Sequence, residues 1–204
     1  NPTELSTYEA LTDSKWRGRI CIRSSSNVYN QSLVASMLRA NGSEATLQWA
    51  EGLVSNLARK PTGGDTDQLR AAAAGQCDLA IANTYYFGRL IESKKPADRE
   101  VVSKLGVFFP NQDGRGSHIN VSGIGVTKHA KNRTEAVRLL EFMVSDSAQA
   151  YYAEINHEYP VVSGVASSPT IASLGEFKSD GLNLSVLGVN NQPAVKLMDR
   201  AGWQ

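Results

Sequence analysis

Two adjacent tyrosines, Tyr85 and Tyr86, are the residues whose type and spacing could do chemistry. A phenol oxygen is a hard donor that suits Fe³⁺, whereas Mg²⁺ and Ca²⁺ prefer carboxylates and carbonyls. A tyrosine normally ionises near pH ~10, so a highly charged cation is needed to hold it as phenolate at neutral pH. Three phenolates would neutralise one ferric ion, and Tyr29 is the natural third candidate.

Adjacent tyrosines usually serve only to pack against other residues, and the chain contains a second tyrosine pair with which Tyr85 and Tyr86 can be compared. Tyr151 and Tyr152 form the same dipeptide, but they lie within a helical pattern, so packing explains them better. In a helix interior two neighbouring side chains diverge by about 100°. At a corner between a strand and a helix both can point into a crevice. Position in the chain therefore distinguishes Tyr85 and Tyr86 from Tyr151 and Tyr152.

The elements around these tyrosines alternate between strand and helix. Residues 19–23 and 77–82 are predicted strands, and the polar loops 24–29 and 83–86 follow them directly. In α/β folds with a parallel sheet, ligands bind beyond the carboxyl ends of the strands. The pattern therefore predicts an α/β fold with a largely parallel sheet, in which both loops line one crevice.

Apolar residues at helical spacing predict the remaining elements. Asn41 and Gly42 should end the first helix, and either Asp65 or Thr66 should cap the third. Residues 119–126 alternate between polar and apolar and predict another strand. Further helices are predicted at residues 45–57, 134–143, 148–155 and 192–201.

Charge and composition exclude several function classes. The 204 residues include 21 basic and 20 acidic side chains, and this balance disfavours nucleic acid or a membrane surface as a partner. Neither a phosphate-binding loop nor a Gly-x-Ser-x-Gly nucleophile motif is present, so we expect no enzyme activity. Cys21 and Cys77 lack zinc-site spacing and could form one disulfide or remain two buried thiols.

Three segments closely resemble the ferric-binding proteins of bacterial iron ABC transporters. They are CIRSSSNVYN at residues 21–30, ARKPTGGDTD at residues 58–67 and IANTYYFG at residues 81–88. The later VSGIGV at residues 121–126 and EYPVV at residues 158–162 fit the same family. The resemblance implies a class II periplasmic-binding-protein fold, in which two α/β lobes close on Fe³⁺ by a hinge. It also implies a monomer in the periplasm that delivers iron to an inner-membrane ABC permease.

The resemblance also assigns site residues. Tyr29, Tyr85 and Tyr86 match the three tyrosine ligands of the family. Where relatives hold a synergistic anion such as carbonate or phosphate, the matching residues here are Ser24, Ser25, Asn83 and Arg23. Asp65 stands where some relatives place another anion contact.

Family members are longer, and their first-lobe ligands, commonly a histidine with a tyrosine or glutamate, precede the point where this chain starts. We expect residues 1–112 and 166–204 to form the second lobe, and residues 113–165 to be the hinge crossing and a returning first-lobe segment. A secretory leader is also expected to be absent, because the first residues have no basic and apolar pattern.

Iron binding by this chain should then be weakened, with water, an anion or a chelator in the other coordination positions. His118, His129 and His157 are predicted to be solvated surface groups rather than replacement ligands. Two alternatives stay open: the fold binds a small organic solute or oxyanion through residues 24–27, or the chain no longer binds any ligand tightly.

Overall fold

The computed structural model describes residues 2–204, without the Pro2 side chain, and the chain divides into two compact units. The first comprises the chain up to Asn83, together with Glu100–Asn120 and Phe177–Gln204. The second comprises Thr84–Arg99 and Val121–Glu176. The lobes predicted for residues 1–112 with 166–204, and for residues 113–165, refer to a longer protein and stay a prediction.

A short parallel sheet lies in the first unit. Strand β1 (Ile20–Cys21) pairs in parallel with β2 (Leu79–Ala80), with Ile20 opposite Leu79 and Cys21 opposite Ala80. On its other side β1 forms a parallel bridge through Ile20 to Leu57. The predicted strands and their parallel direction are confirmed, although each strand is only two residues long. Both predicted site loops begin soon after these strands end.

Three helices enclose the core of this unit. They are α1 (Val28–Asn41), α2 (Ser43–Ser55) and α9 (Ser185–Arg200). The predicted end of α1 is confirmed, because Gly42 adopts a φ of 79° and donates its N–H to the carbonyl of Leu38. Helix α9 begins earlier than predicted and contains Pro193 in its interior. Buried side chains from these helices and β1 include Ile20, Met37, Leu53 and Met198, and Trp203, just after α9, belongs to the same core.

Helix α3 (Asp65–Ala73) begins differently from the prediction. Gly64 precedes its first residue, and the Gly64 N–H is bound at 2.7 Å by the carboxylate of Asp67. Asp65 is therefore not the capping residue. Asp65 as a whole is only 1% exposed, and its side chain bonds to other parts of the unit instead.

The second unit is helical. It contains α4 (Thr84–Ile91), α6 (Arg133–Met143), α7 (Asp146–Asn156) and α8 (Pro169–Ala172), while α5 (Pro96–Ser103) crosses the division between the units. Helices α5 and α8 were not predicted. The strand prediction at residues 119–126 is wrong, since these residues, all of which the structure describes, form no strand. An alternating segment needs a neighbouring strand for its backbone groups, and Val121 and Ile124 are instead half exposed.

Helix α6 has an apolar face that its own unit does not cover. None of its described residues is buried, and Leu139 and Phe142 are 53% and 57% exposed.

Among residues 2–204, no helix combines the length and apolar character needed to span a bilayer.

A disulfide joins Cys21 in β1 to Cys77 just before β2. The two cysteines are 56 positions apart in sequence, and both are buried beside Ala71. The sequence left this pairing open, and the structure shows it formed. The bond fastens together the two strands that precede the predicted site loops.

We expect the double substitution C21A with C77A to lower the free energy of unfolding by about 4 kcal/mol. A closed loop of this length removes that much chain entropy from the unfolded state. Urea unfolding monitored by circular dichroism measures the change, with the dithiothreitol-reduced wild-type protein as the control. An unchanged urea midpoint would show that the disulfide does not constrain the unfolded chain.

Candidate functional site

Tyr29 lies in the first turn of α1, directly after the polar loop that follows β1. The Asn27 side chain begins this helix by accepting a hydrogen bond from the Tyr29 N–H at 3.0 Å. The loop is fixed at Arg23, whose carbonyl accepts from Asn30 Nδ2 at 2.8 Å and from Trp203 Nε1 at 3.0 Å. These contacts hold Tyr29 at the carboxyl end of β1.

Tyr85 and Tyr86 occupy the first turn of α4 in the second unit. Their ring centroids are 4.4 Å apart and their planes are inclined by 33°, so the two rings lie side by side. The guanidinium of Arg89 lies 5.3 Å from the Tyr85 ring centroid and 5.4 Å from that of Tyr86. The two phenols are therefore neighbours, and one arginine contacts both.

Two sources of positive charge lie near this pair. The N-terminal end of a helix carries the positive end of the helix dipole, and both tyrosines lie there. Arg89 adds a full charge at the same place. Phenol oxygens bind a hard cation as phenolates, and these two neighbouring rings supply two such oxygens at the start of one helix.

Arg23 and Asn83, two of the predicted anion-binding residues, meet at a third residue. Arg23 NH1 lies 2.9 Å from Asp65 Oδ1. The backbone N–H and the side-chain amide of Asn83 donate to Asp65 Oδ2 at 2.7 Å and 3.0 Å. The structure therefore brings Arg23 and Asn83 together on a carboxylate of the chain itself.

The two predicted serines take part in local contacts of their loop. The Ser24 hydroxyl lies 3.0 Å from that of Ser26 and accepts the Ser26 N–H at 3.2 Å. The Ser25 carbonyl accepts a hydrogen bond from Gln31. In the structure, neither serine side chain is hydrogen-bonded to Asp65, unlike Arg23 and Asn83.

A cavity of about 70 Å³ lies beside Tyr29 within the first unit. Its polar lining includes Tyr8, Tyr29, Asp65, Asn83, His118 and Asn120. Burial raises the pKa of Tyr8 to about 12, so this phenol stays protonated at neutral pH. Tyr8 is therefore not a candidate phenolate ligand at this cavity.

The histidine predictions are partly wrong. His129 is exposed, as expected. His118, however, places its Nε2 atom 2.9 Å from the Ser32 hydroxyl, and burial, followed by the charge of Arg115, lowers its pKa to about 4. His157 is only 7% exposed and packs on Gly88 of α4, where an added Cβ would lie 2.9 Å from the Cβ of His157.

Within residues 2–204, no three histidine, cysteine, aspartate or glutamate side chains are grouped so that they could hold a metal ion. The tyrosines thus remain the candidate metal donors. Tyr29 belongs to the first unit, and Tyr85 and Tyr86 belong to the second. The set of three ligands stays a prediction.

The sequence did not point to Arg89 as a neighbour of the tyrosine pair, and it assigned Asp65 a different role. Arg89 follows Tyr86 by three positions and Tyr85 by four, which is the spacing of neighbours on a helix face, so the start of α4 was the signal that could have identified it. The role of Asp65 depends on the distant residues Arg23 and Asn83, and no local pattern indicates it.

Comparison with known proteins places these features in a wider group. The family model described as bacterial extracellular solute-binding protein matches residues 2–179. Iron uptake protein A1 of Synechocystis sp. is 58% identical over 203 residues, covering 100% of this chain and 56% of that protein.

Solved structures agree with this result. The Trichodesmium protein IdiA, or FutA, in complex with iron and citrate ligands has a TM-score of 0.97 and 52% identity, covering 100% of this chain and 65% of that one. The ferric binding protein from Campylobacter jejuni has a TM-score of 0.96 at 40% identity, with the same coverage. The class II fold is confirmed, and the chain spans less than two thirds of each of these proteins.

The low pKa of His118 predicts that the protein loses stability in mild acid. The folded-state pKa is about 4 and the ordinary value is 6.5, so the unfolded chain takes up a proton that the folded chain does not accept. Stability should be complete above pH 6.5 and should fall as the pH drops towards 4. We expect the melting temperature to fall by roughly 5 °C across this window.

The variant His118→Gln provides the control, because glutamine can still bond to Ser32 and has no proton to gain. Its melting temperature, followed by differential scanning calorimetry, should change much less across the same window. Glu9 adds a loss at lower pH: burial acts to raise its pKa, but hydrogen bonds from Asn41 and Asn111 outweigh it and lower the pKa from 4.5. Equal slopes for the wild type and the variant would contradict the assignment to His118.

Proposed function

Because the chain belongs to the family of bacterial extracellular solute-binding proteins, we propose that it binds ferric iron through the phenolates of Tyr29, Tyr85 and Tyr86. Similar proteins over the full length of this chain support the cargo: one is named an iron uptake protein, and another was solved with iron and citrate. All three residues also match the tyrosine ligands of the ferric-binding proteins that the sequence resembles.

The observation that carries the proposal is the pairing of Tyr85 with Tyr86. Their rings lie 4.4 Å apart at the N-terminus of α4, and Arg89 contacts both. Tyr151 and Tyr152 lack this arrangement: they lie in the interior of α7, where Tyr151 is 63% exposed and the Tyr152 hydroxyl contacts Met143. Two hard oxygen donors side by side favour a trivalent cation over Mg²⁺ or Ca²⁺.

Transport follows from binding. In the whole protein we propose a periplasmic component that carries ferric iron to the inner-membrane permease of an ABC transporter. Such a role needs reversible coordination and involves no bond-making reaction on the cargo. The phenolate ligands supply reversibility, because protons compete with the metal for each of them.

The substitution Tyr85→Phe with Tyr86→Phe tests the proposal. On loading with ferric citrate, the wild-type chain should develop a red-orange charge-transfer band from phenolate to iron. The double variant should lose most of that band, and its apparent dissociation constant should rise by more than about a hundredfold, since a ligand contributes more than an outer-shell partner does. Visible absorbance with citrate as the competitor measures both effects.

The matched control removes the other tyrosine pair. Tyr151→Phe with Tyr152→Phe makes the same chemical change in α7 and should leave the band and the dissociation constant unchanged. Tyr29→Phe should weaken the band without abolishing it. A band of undiminished strength in the Tyr85 and Tyr86 double variant, or a wild-type chain that stays colourless, would rule the proposal out.

A further inference from the structure

Helix α4, whose first turn carries Tyr85 and Tyr86, is packed against the side chain of His157. The contact is made at Gly88, three positions after Tyr85 in the same helix. A Cβ added at Gly88 would lie 2.9 Å from the Cβ of His157 and 3.1 Å from its Cγ. Carbon atoms in van der Waals contact are about 3.5–4.0 Å apart, so only a glycine lets α4 approach His157 this closely.

His157 makes this contact from an unusual backbone conformation. It follows the last residue of α7 with a φ of 60° and a ψ of 34°, in the left-handed region that glycine adopts more readily. The residue is buried, and its Nδ1 atom has no hydrogen-bond partner within residues 2–204. Both features oppose a histidine at this position, and strained residues of this kind cluster at functional sites. Packing against Gly88 is what the His157 side chain contributes here.

Two further contacts hold α4 within the second unit. The Thr170 hydroxyl of α8 donates a hydrogen bond to the carboxylate of Glu92, directly after the last residue of α4. The fully buried Ile171 lies beside His157, with its Cδ1 atom 3.4 Å from the Cβ position of Gly88. The end of α4 is therefore tied to α8, and its middle is supported by two side chains.

This arrangement converts a small shift at Gly88 into a larger one at the tyrosines. With a rise of about 1.5 Å per residue, Gly88 lies about 6 Å along the helix from Glu92, and Tyr85 lies about 10 Å from it. If α4 pivots at Glu92, widening the contact with His157 by about 0.6 Å displaces the first turn by roughly 1 Å. Metal–ligand distances tolerate only about 0.2 Å.

We propose that His157 is a positioning residue for iron coordination: its side chain, packed on Gly88, sets where α4 holds the phenolate oxygens of Tyr85 and Tyr86. This inference rests on the proposed function, because it concerns the same tyrosine pair. His157 does not bind the metal in this role. It acts through α4, and Gly88 is the residue that gives it room.

The substitution Gly88→Ala tests the contact by adding a methyl group where His157 already lies. Helix α4 must then move away, so loading with ferric citrate should give a weaker charge-transfer band with a shifted maximum. The apparent dissociation constant should rise by about tenfold or more, as it does when outer-shell partners of a metal site are changed. Visible absorbance with citrate as the competitor measures both effects. A role in stability alone would leave the band maximum unchanged.

Removing the His157 side chain from the same variant should reverse the loss. Glycine adopts the left-handed backbone without strain, and the methyl group added at position 88 then fills part of the space of the lost ring. His157→Gly alone should weaken binding, because α4 loses its support. Gly88→Ala with His157→Gly should bind iron within about threefold of the wild type. That recovery would also show that the His157 ring is not itself a ligand.

Gly188→Ala is the matched control, because Gly188 also lies inside a helix, α9. Within residues 2–204, no atom of another element lies within 4 Å of a Cβ added there. This variant should keep the wild-type band and dissociation constant. Circular dichroism identifies an unfolded Gly88→Ala variant, in which case His157→Asn takes its place. Asparagine tolerates the left-handed backbone and removes the ring, so it should also weaken and shift the band.

The outcomes separate the two proposals. A folded Gly88→Ala or His157→Asn chain with the wild-type band and dissociation constant would overturn the role of His157 while leaving iron binding in place. A double variant no better than Gly88→Ala alone would do the same. A wild-type chain without any band would remove the proposed function itself and this inference with it.

Discussion

The arrangement of the two predicted site loops at the carboxyl ends of β1 and β2 depends on hydrogen bonds and an ion pair to the buried Asp65 carboxylate. A charge with almost no contact with water must be compensated by donors from the protein, and here the donors come from the loop after β1 and the loop after β2. The two-residue strands pair too briefly to determine where these loops go. The disulfide between Cys21 and Cys77 fixes where the loops start, and Asp65 fixes where Arg23 and Asn83 lie.

The sequence predicted the parts of the fold that rest on local patterns. The strands around Ile20 and Leu79, their parallel pairing and the end of α1 at Gly42 each follow from a nearby run of apolar residues or a nearby glycine. The strand prediction for residues 119–126 was wrong because it depended on a distant partner rather than on a local pattern. Its alternation describes a strand, but a strand also needs a partner, and that condition cannot be read from the segment itself.

The candidate site shows the same division between local and distant information. Tyr85 and Tyr86 could be selected because their position in the first turn of α4, soon after β2, is a local property. From the sequence, Asp65 was interpreted as a helix cap and an anion contact. Its partners in the structure, Arg23 and Asn83, are 42 and 18 positions away, so no local pattern could identify them. His118 was misjudged as a surface group because burial depends on tertiary packing. Residue type, position in the chain and family resemblance all pointed to the three tyrosines, whereas the groups around them became visible only in the structure.

The side-by-side placement of Tyr85 and Tyr86 has a kinetic consequence. Two donors on one helical turn would act as a chelate: when one iron–oxygen bond breaks, the other keeps the metal within reach, so recapture competes with escape. Spontaneous exchange should then be slow even if each single bond is labile. Fast release would require both bonds to open together, which a movement of α4 as a rigid body could achieve in one step.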